Sequence, residues 1–124
     1  MLNDSFHYGD GALGCDGVPL RAIAETAGTP VYVYSAARVR HNVERLRRAF
    51  APLGASIHYS LKANPSLALV RLLREAGLGM DAVSAGEVHR ALTAGVDPAW
   101  IVFAGVGKTA AEIAYALDAR IGWF

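Results

Sequence analysis

The chain is 124 residues long, 53% hydrophobic and 19% charged, the profile of one small packed domain and not of a disordered tail. Its net charge of +1 gives no bulk electrostatic basis for a nucleic-acid or membrane partner. Cys15 is the single cysteine, which excludes an internal disulfide and a cysteine-based metal cluster, and no run approaches the roughly 18 apolar residues of a membrane span.

The opening MLNDSFHYGDGALGCDG lacks the basic start and apolar core of a signal peptide, so a soluble, cytoplasmic chain is expected. Residues 1–18, rich in Gly and Asp, read as irregular. Pro19 to Gly28 reads as a short helix, with proline in its first turn and glycine just past its end. TPVYVYS (29–35), β-branched and aromatic, reads as a strand. Ser35 is then placed to cap a helix that runs to about Phe50 and is closed by Pro52 and Gly54. Along it, Arg38, Arg40, Arg45, Arg47 and Arg48 read as a wet face opposite Val39, Val43, Leu46 and Phe50.

From Ala55 onward strand and helix alternate. SIHYSLK (56–62) reads as strand and SLALVRLLREAG (66–77) as helix, capped by Ser66 and Gly77. GMDAVS (79–84) and WIVFAG (100–105) read as strands, AGEVHRALTAG (85–95) and TAAEIAYALDA (109–119) as helices. RIGWF (120–124) begins a further strand. Units of about 20 to 25 residues in this order indicate an α/β parallel sheet, the start of a (β/α)8 barrel or of a doubly wound sheet. A closed barrel needs about 250 residues. The chain stops inside an apolar strand, so it reads as the N-terminal piece of something longer.

Lys62 ends the first of these strands. Side chains alternate along a strand, which puts His58, Ser60 and Lys62 on one face and Ile57, Tyr59 and Leu61 on the other. An inward lysine at the C-terminal end of a parallel strand lies where such folds place their chemistry, and desolvation there favours the neutral amine that attacks an aldehyde. Geometry alone favours the ordinary reading, a solvated lysine. Asp81 lies one βα unit later, near the end of the neighbouring strand, and is placed to face Lys62. Ser84 and Glu87 fit a capping box better than a ligand role, although the loop around Ser84 and Gly86 is placed to approach a cofactor. FAGVGKT tempts toward a phosphate loop, but Val102 stands where that motif requires its first glycine. Thr109 and Glu112 form another capping box, while Lys108 is either solvated or at the edge of a site. The histidines His7, His41, His58 and His89 show no metal-ligand spacing, and His58 reads as a filler of the barrel interior.

HYSLKANPSLALVRLLREAGLGMDAVSAGEVHRALTAGV closely resembles the lysine region of the fold-type III, alanine-racemase-like decarboxylases that use pyridoxal phosphate, nearest to their diaminopimelate branch. IVFAGVGKT and CDGVPLRAIAETAGTPVYVYS are similar to that family in the same order, so the resemblance covers nearly the whole chain. It implies that Lys62 forms the Schiff base with pyridoxal phosphate and that Asp81 lines the cofactor site, with Met80 in place of the usual aromatic. Pro65 and Ser66 after Lys-Ala-Asn favour the decarboxylases over the racemases. The implied fold is a partial (β/α)8 barrel over residues 36–124, its first three to four βα units, cut before barrel closure and before a C-terminal β-domain. Residues 1–35 would be a segment that packs with that domain. The implied reaction converts meso-diaminopimelate to L-lysine and CO2, in a homodimer, with this piece inactive alone. Ornithine-, arginine- or carboxynorspermidine-type decarboxylation is the alternative within the family, and a nucleotide-binding module built on GVGKT the alternative outside it.

Overall fold

Two Asp-Gly pairs shape the beginning of the chain. The computed structural model describes residues 5–124 and divides them into two units at Leu46/Arg47. In the first unit, β1 (Phe6–Gly9), β2 (Ala12–Cys15) and β3 (Val18–Pro19) form an antiparallel sheet in that order. Asp10-Gly11 and Asp16-Gly17 link them, all four residues at positive φ (50°, 76°, 49° and 81°). That is the mirror-image turn whose twist matches two flanking strands, and it needs residues that tolerate a left-handed backbone. The irregular stretch expected before residue 19 is therefore a meander over its described part, and its first four residues lie outside the described ones.

Helix α1 (Leu20–Ala27) ends at Gly28, as expected. Residues 31–35 do not form the expected strand: they have no ladder partner among the described residues, and Tyr32 and Tyr34 are 88% and 63% exposed. Apolar alternation makes a strand only when a neighbouring strand takes its backbone groups. Helix α2 (Ala36–Phe50) starts at Ser35, whose Oγ accepts from the Arg38 N–H at 2.9 Å. Of its expected apolar face Val43 is buried, while Leu46 and Phe50 are 47% and 44% exposed. The chain leaves α2 through a 3-10 turn at Ala51–Leu53 and Gly54.

The second unit is a parallel sheet with helical crossovers. β4 (His58–Ser60), α3 (Leu67–Glu75), β5 (Gly79–Ala82), α4 (Ala85–Thr93), β6 (Ile101–Phe103) and α5 (Ala110–Asp118) follow one another, with strand order β4-β5-β6. The register aligns Tyr59, Met80 and Ile101 in one row and Ser60, Asp81 and Val102 in the next. Met80, Ala82, Ile101 and Phe103 are fully buried, as are Val70 of α3 and Val88 of α4. The opposite face carries His58, Ser60, Asp81 and Val102, all half-buried. A helix ended by a left-handed glycine returns the chain sharply to the sheet, as Gly77 does after α3 with φ of 74°. Of the further strand expected at the end, a single parallel bridge, Val102 to Trp123, is formed. No helix is long and apolar enough to cross a membrane among the described residues.

Candidate active site

β4 is shorter than its sequence suggests. The last extended residue is Ser60, and Leu61–Ala63 wind into a 3-10 turn. Lys62 therefore stands on that turn, just beyond the C-terminal end of the strand, and not at the strand's last position. The cause is local. Pro65 excludes a helical conformation for the residue before it, and Asn64 is extended at φ −164° and ψ 105°, which stops the turn after one cycle. Leu61 is fully buried beneath the turn and anchors it, which turns Lys62 outward.

Three contacts fix the turn's exit. The Tyr59 hydroxyl donates to the Asn64 carbonyl at 3.3 Å. Asn64 Oδ1 accepts from the Ser66 N–H at 3.0 Å, so Asn64, rather than the Ser66 side chain, organises the entry to α3. Arg90 Nη1, from α4, donates to the Pro65 carbonyl at 3.4 Å. The Lys62 amine has no hydrogen-bond or ion-pair partner among the described residues, and the residue is exposed. Lys62 is thus exposed, as strand geometry alone favoured, and is not the inward lysine weighed against it.

Asp81 lies in β5 directly across the ladder from Ser60, two residues before Lys62. Both site residues expected from the sequence accordingly occupy the C-terminal end of the same sheet. On the same face, Ser60 Oγ and His58 Nδ1 are buried with no hydrogen-bond partner. His58 stacks on Trp100 with ring centroids 6.2 Å apart, toward the other end of the strand.

Of the two expected capping boxes, the one at Ser84 is half formed and the one at Thr109 complete. Ser84 Oγ accepts from the Glu87 N–H at 3.2 Å, and Glu87 Oε2 returns to the Val83 N–H at 2.7 Å. Thr109 and Glu112 complete a reciprocal box at the start of α5. Glu112 also accepts from the Ala85 N–H at 3.3 Å, a link between α4 and α5 that no local pattern reveals. Donation from the Thr109 N–H, then from Ala85, holds the Glu112 carboxyl below its ordinary value. Lys108 donates to the Gly105 carbonyl at 2.7 Å and lies 4.9 Å from the Phe103 ring centroid. Those bonds close the GVGKT loop on itself and account for Lys108 and Thr109 without a nucleotide.

Pyridoxal phosphate presents an aldehyde at one end and a dianionic phosphate at the other. An exposed lysine amine with no partner among the described residues, at the same end of the sheet as Asp81, fits the aldehyde end. The N–H groups of Val83, Ala85 and Thr109 at the starts of α4 and α5 are already taken by Glu87 and Glu112. Those amides are therefore not a ready cradle for the phosphate.

Comparison with known proteins agrees with this geometry. Residues 36–124 match the family described as pyridoxal-dependent decarboxylase, pyridoxal binding domain. A diaminopimelate decarboxylase of Aquifex aeolicus is 46% identical over 122 residues, which are 98% of this chain and 29% of that protein. One of Zymomonas mobilis is 43% identical over 122 residues, 96% of this chain and 29% of its own. The crystal structure of diaminopimelate decarboxylase from M. jannaschii superposes with a TM-score of 0.89 at 37% identity, covering 98% of this chain and 30% of that one. A second structure of that enzyme, in co-complex with L-lysine, superposes at 0.82 with the same 37% identity, covering 98% of this chain and 30% of that one. The chain thus spans about 29% of the length of the curated relatives it matches. The parallel βα units are part of the barrel of these enzymes, as expected from the sequence. The chain belongs to the pyridoxal-dependent decarboxylases, and residues 36–124 to their pyridoxal-binding domain.

Proposed function

We propose that the chain supplies the lysine-bearing part of a diaminopimelate decarboxylase, which releases CO2 from meso-diaminopimelate to give L-lysine. The observation that carries this reading is the exposed, unpartnered Lys62 on the turn after β4, two residues beyond the ladder partner of Asp81. The named relatives and the L-lysine complex supply the substrate class. Residues 36–124 form the barrel part, and residues 1–35 a preceding segment whose exposed Tyr32 and Tyr34 suit packing against a further domain. A cytoplasmic homodimer is the assembly we infer.

Pyridoxal phosphate, when bound, supplies the electron sink that accepts the charge left by departing CO2. Lys62 would hold the cofactor at its aldehyde end through Nζ. Asp81 would line the cofactor site from the C-terminal end of the same sheet, its carboxylate serving as a hydrogen-bond acceptor. The buried Leu61 and the Tyr59, Asn64 and Arg90 contacts hold the Lys62 turn in place.

Titration with pyridoxal phosphate tests the reading. A visible absorbance band should form, borohydride should trap the cofactor on the peptide bearing Lys62, and Lys62→Ala should abolish both. A band that survives in Lys62→Ala removes Lys62 from the role. Release of CO2 from diaminopimelate, but not from ornithine or arginine, by the protein that carries this chain tests the substrate.

A further inference from the structure

Glu112 does more than close its own helix. Its Oε2 accepts from the N–H and the hydroxyl of Thr109, at 2.9 and 3.0 Å, while Oε1 accepts from the Ala85 N–H at 3.3 Å. Thr109 ends the loop that follows β6, and Ala85 opens α4 just after the loop that follows β5. One carboxylate thereby joins two neighbouring βα loops, and the Ala85 N–H it holds lies 27 residues before Glu112 in sequence.

The loop on the β5 side is only Val83 and Ser84, and the Val83 N–H is held by Glu87 at 2.7 Å. A connection this short transmits a displacement of the helix start to the end of the strand, where Asp81 stands. Capping of α5 needs only the Thr109 contacts, so the bond to Ala85 is additional to the cap. The Thr109 and Ala85 N–H groups hold the Glu112 carboxyl below its ordinary value and favour its charged form, and a charged acceptor makes the stronger bond.

We propose that Glu112 is a positioning residue for Asp81: by holding the Ala85 N–H it fixes the loop after β5, and with it the carboxylate beside the Lys62 turn. This inference rests on the reading of Lys62 and Asp81 as the cofactor site.

Three variants separate positioning from simple capping. Glu112→Gln leaves one acceptor oxygen for backbone amides of two loops. Ala85→Pro keeps the carboxylate but removes the N–H, at a first helical position where proline is tolerated. Thr109→Ala removes the side-chain half of the cap and leaves the Ala85 bond. For each, the pyridoxal phosphate dissociation constant is read from the Lys62-dependent band, Tm is measured without cofactor, and amide exchange is followed over residues 81–85.

The dissociation constant should rise roughly three- to tenfold in Glu112→Gln and Ala85→Pro, the size of one net hydrogen bond, with faster exchange over the β5 loop. Thr109→Ala should lower Tm through its lost cap yet keep the dissociation constant within about twofold. Unchanged affinity in Glu112→Gln and Ala85→Pro overturns the inference, as does affinity that falls in step with Tm in all three variants. Should Glu112→Gln fail to fold, Ala85→Pro decides alone. A band that persists in Lys62→Ala fails the cofactor reading itself, before any Glu112 variant is made, and the inference falls with it.

Discussion

Lys62 owes its exposure to the residues around it. Asn64 precedes a proline and must be extended, so the chain curls through Leu61–Ala63 to make the change of direction. The placement of Lys62 and Asp81 at the C-terminal end of one sheet was legible in the alternation of strand and helix, their roles only through the family resemblance. The turn was not, because period-two alternation continues through Lys62 and hides the end of the strand. Neighbour-dependent packing is equally invisible in sequence, and Gly79 illustrates it. Its ladder partner is His58, and a Cβ built on Gly79 meets the His58 ring and lies 2.7 Å from the Trp100 carbonyl oxygen. His58 is itself stacked on the Trp100 ring, so moving it disturbs that contact. Gly79→Ala should therefore destabilise the chain by about 1–3 kcal/mol through overpacking, read from urea unfolding at constant slope. Unaltered stability would mean that the His58 ring and the Trp100 backbone part without cost.

Elements were legible where their signals are local. α3, α4 and α5 were placed within one or two residues because their apolar periods are clear, Gly77 and Gly95 end the first two, and Ser84 and Thr109 cap the last two. The β1–β3 meander was missed although Asp10-Gly11 and Asp16-Gly17 carry a hairpin signal, since its short glycine-bearing strands show no apolar alternation to read. Asp16 has a second task. Its Oδ1 accepts from Ser35 Oγ at 2.6 Å and its Oδ2 from the Ala37 N–H at 3.0 Å, which puts a carboxylate at the start of α2. The Ser35 hydroxyl, then the Ala37 N–H, holds the Asp16 carboxyl below the usual 3.8. A depressed folded value means that its contribution is complete above the unfolded value and disappears as pH falls through the folded one. Asp16→Asn keeps a residue suited to the left-handed backbone and removes the charge together with one of the two acceptor oxygens. At neutral pH its Tm should lie below that of the wild type, and the gap should close as pH falls below 3.8. A gap that is constant with pH would show that geometry, not ionisation, carries the effect.

At the scale of the whole molecule, alternating strand and helix announced an α/β sheet, while the choice of a barrel came from relatives and not from periodicity. Patterning cannot say which end of a cofactor a chain receives, but its hydrogen bonds can. The amine end finds Lys62 free, whereas the amides of Val83, Ala85 and Thr109, which a phosphate would seek, are occupied by Glu87 and Glu112. The 124-residue chain should therefore discriminate poorly between pyridoxal and pyridoxal phosphate. Their dissociation constants, read from the band that Lys62→Ala abolishes, should agree within about threefold, a difference well below the tenfold that one strong charged contact provides. Diaminopimelate turnover by the chain alone should be undetectable for the same reason, since an aldehyde held only through Lys62 is not oriented for reaction. A tenfold or greater preference for pyridoxal phosphate, by that same tenfold criterion, would place a phosphate site within these residues. It would require Glu87 or Glu112 to surrender its amides when the cofactor binds, which faster exchange at Val83 or Ala85 on phosphate binding would reveal.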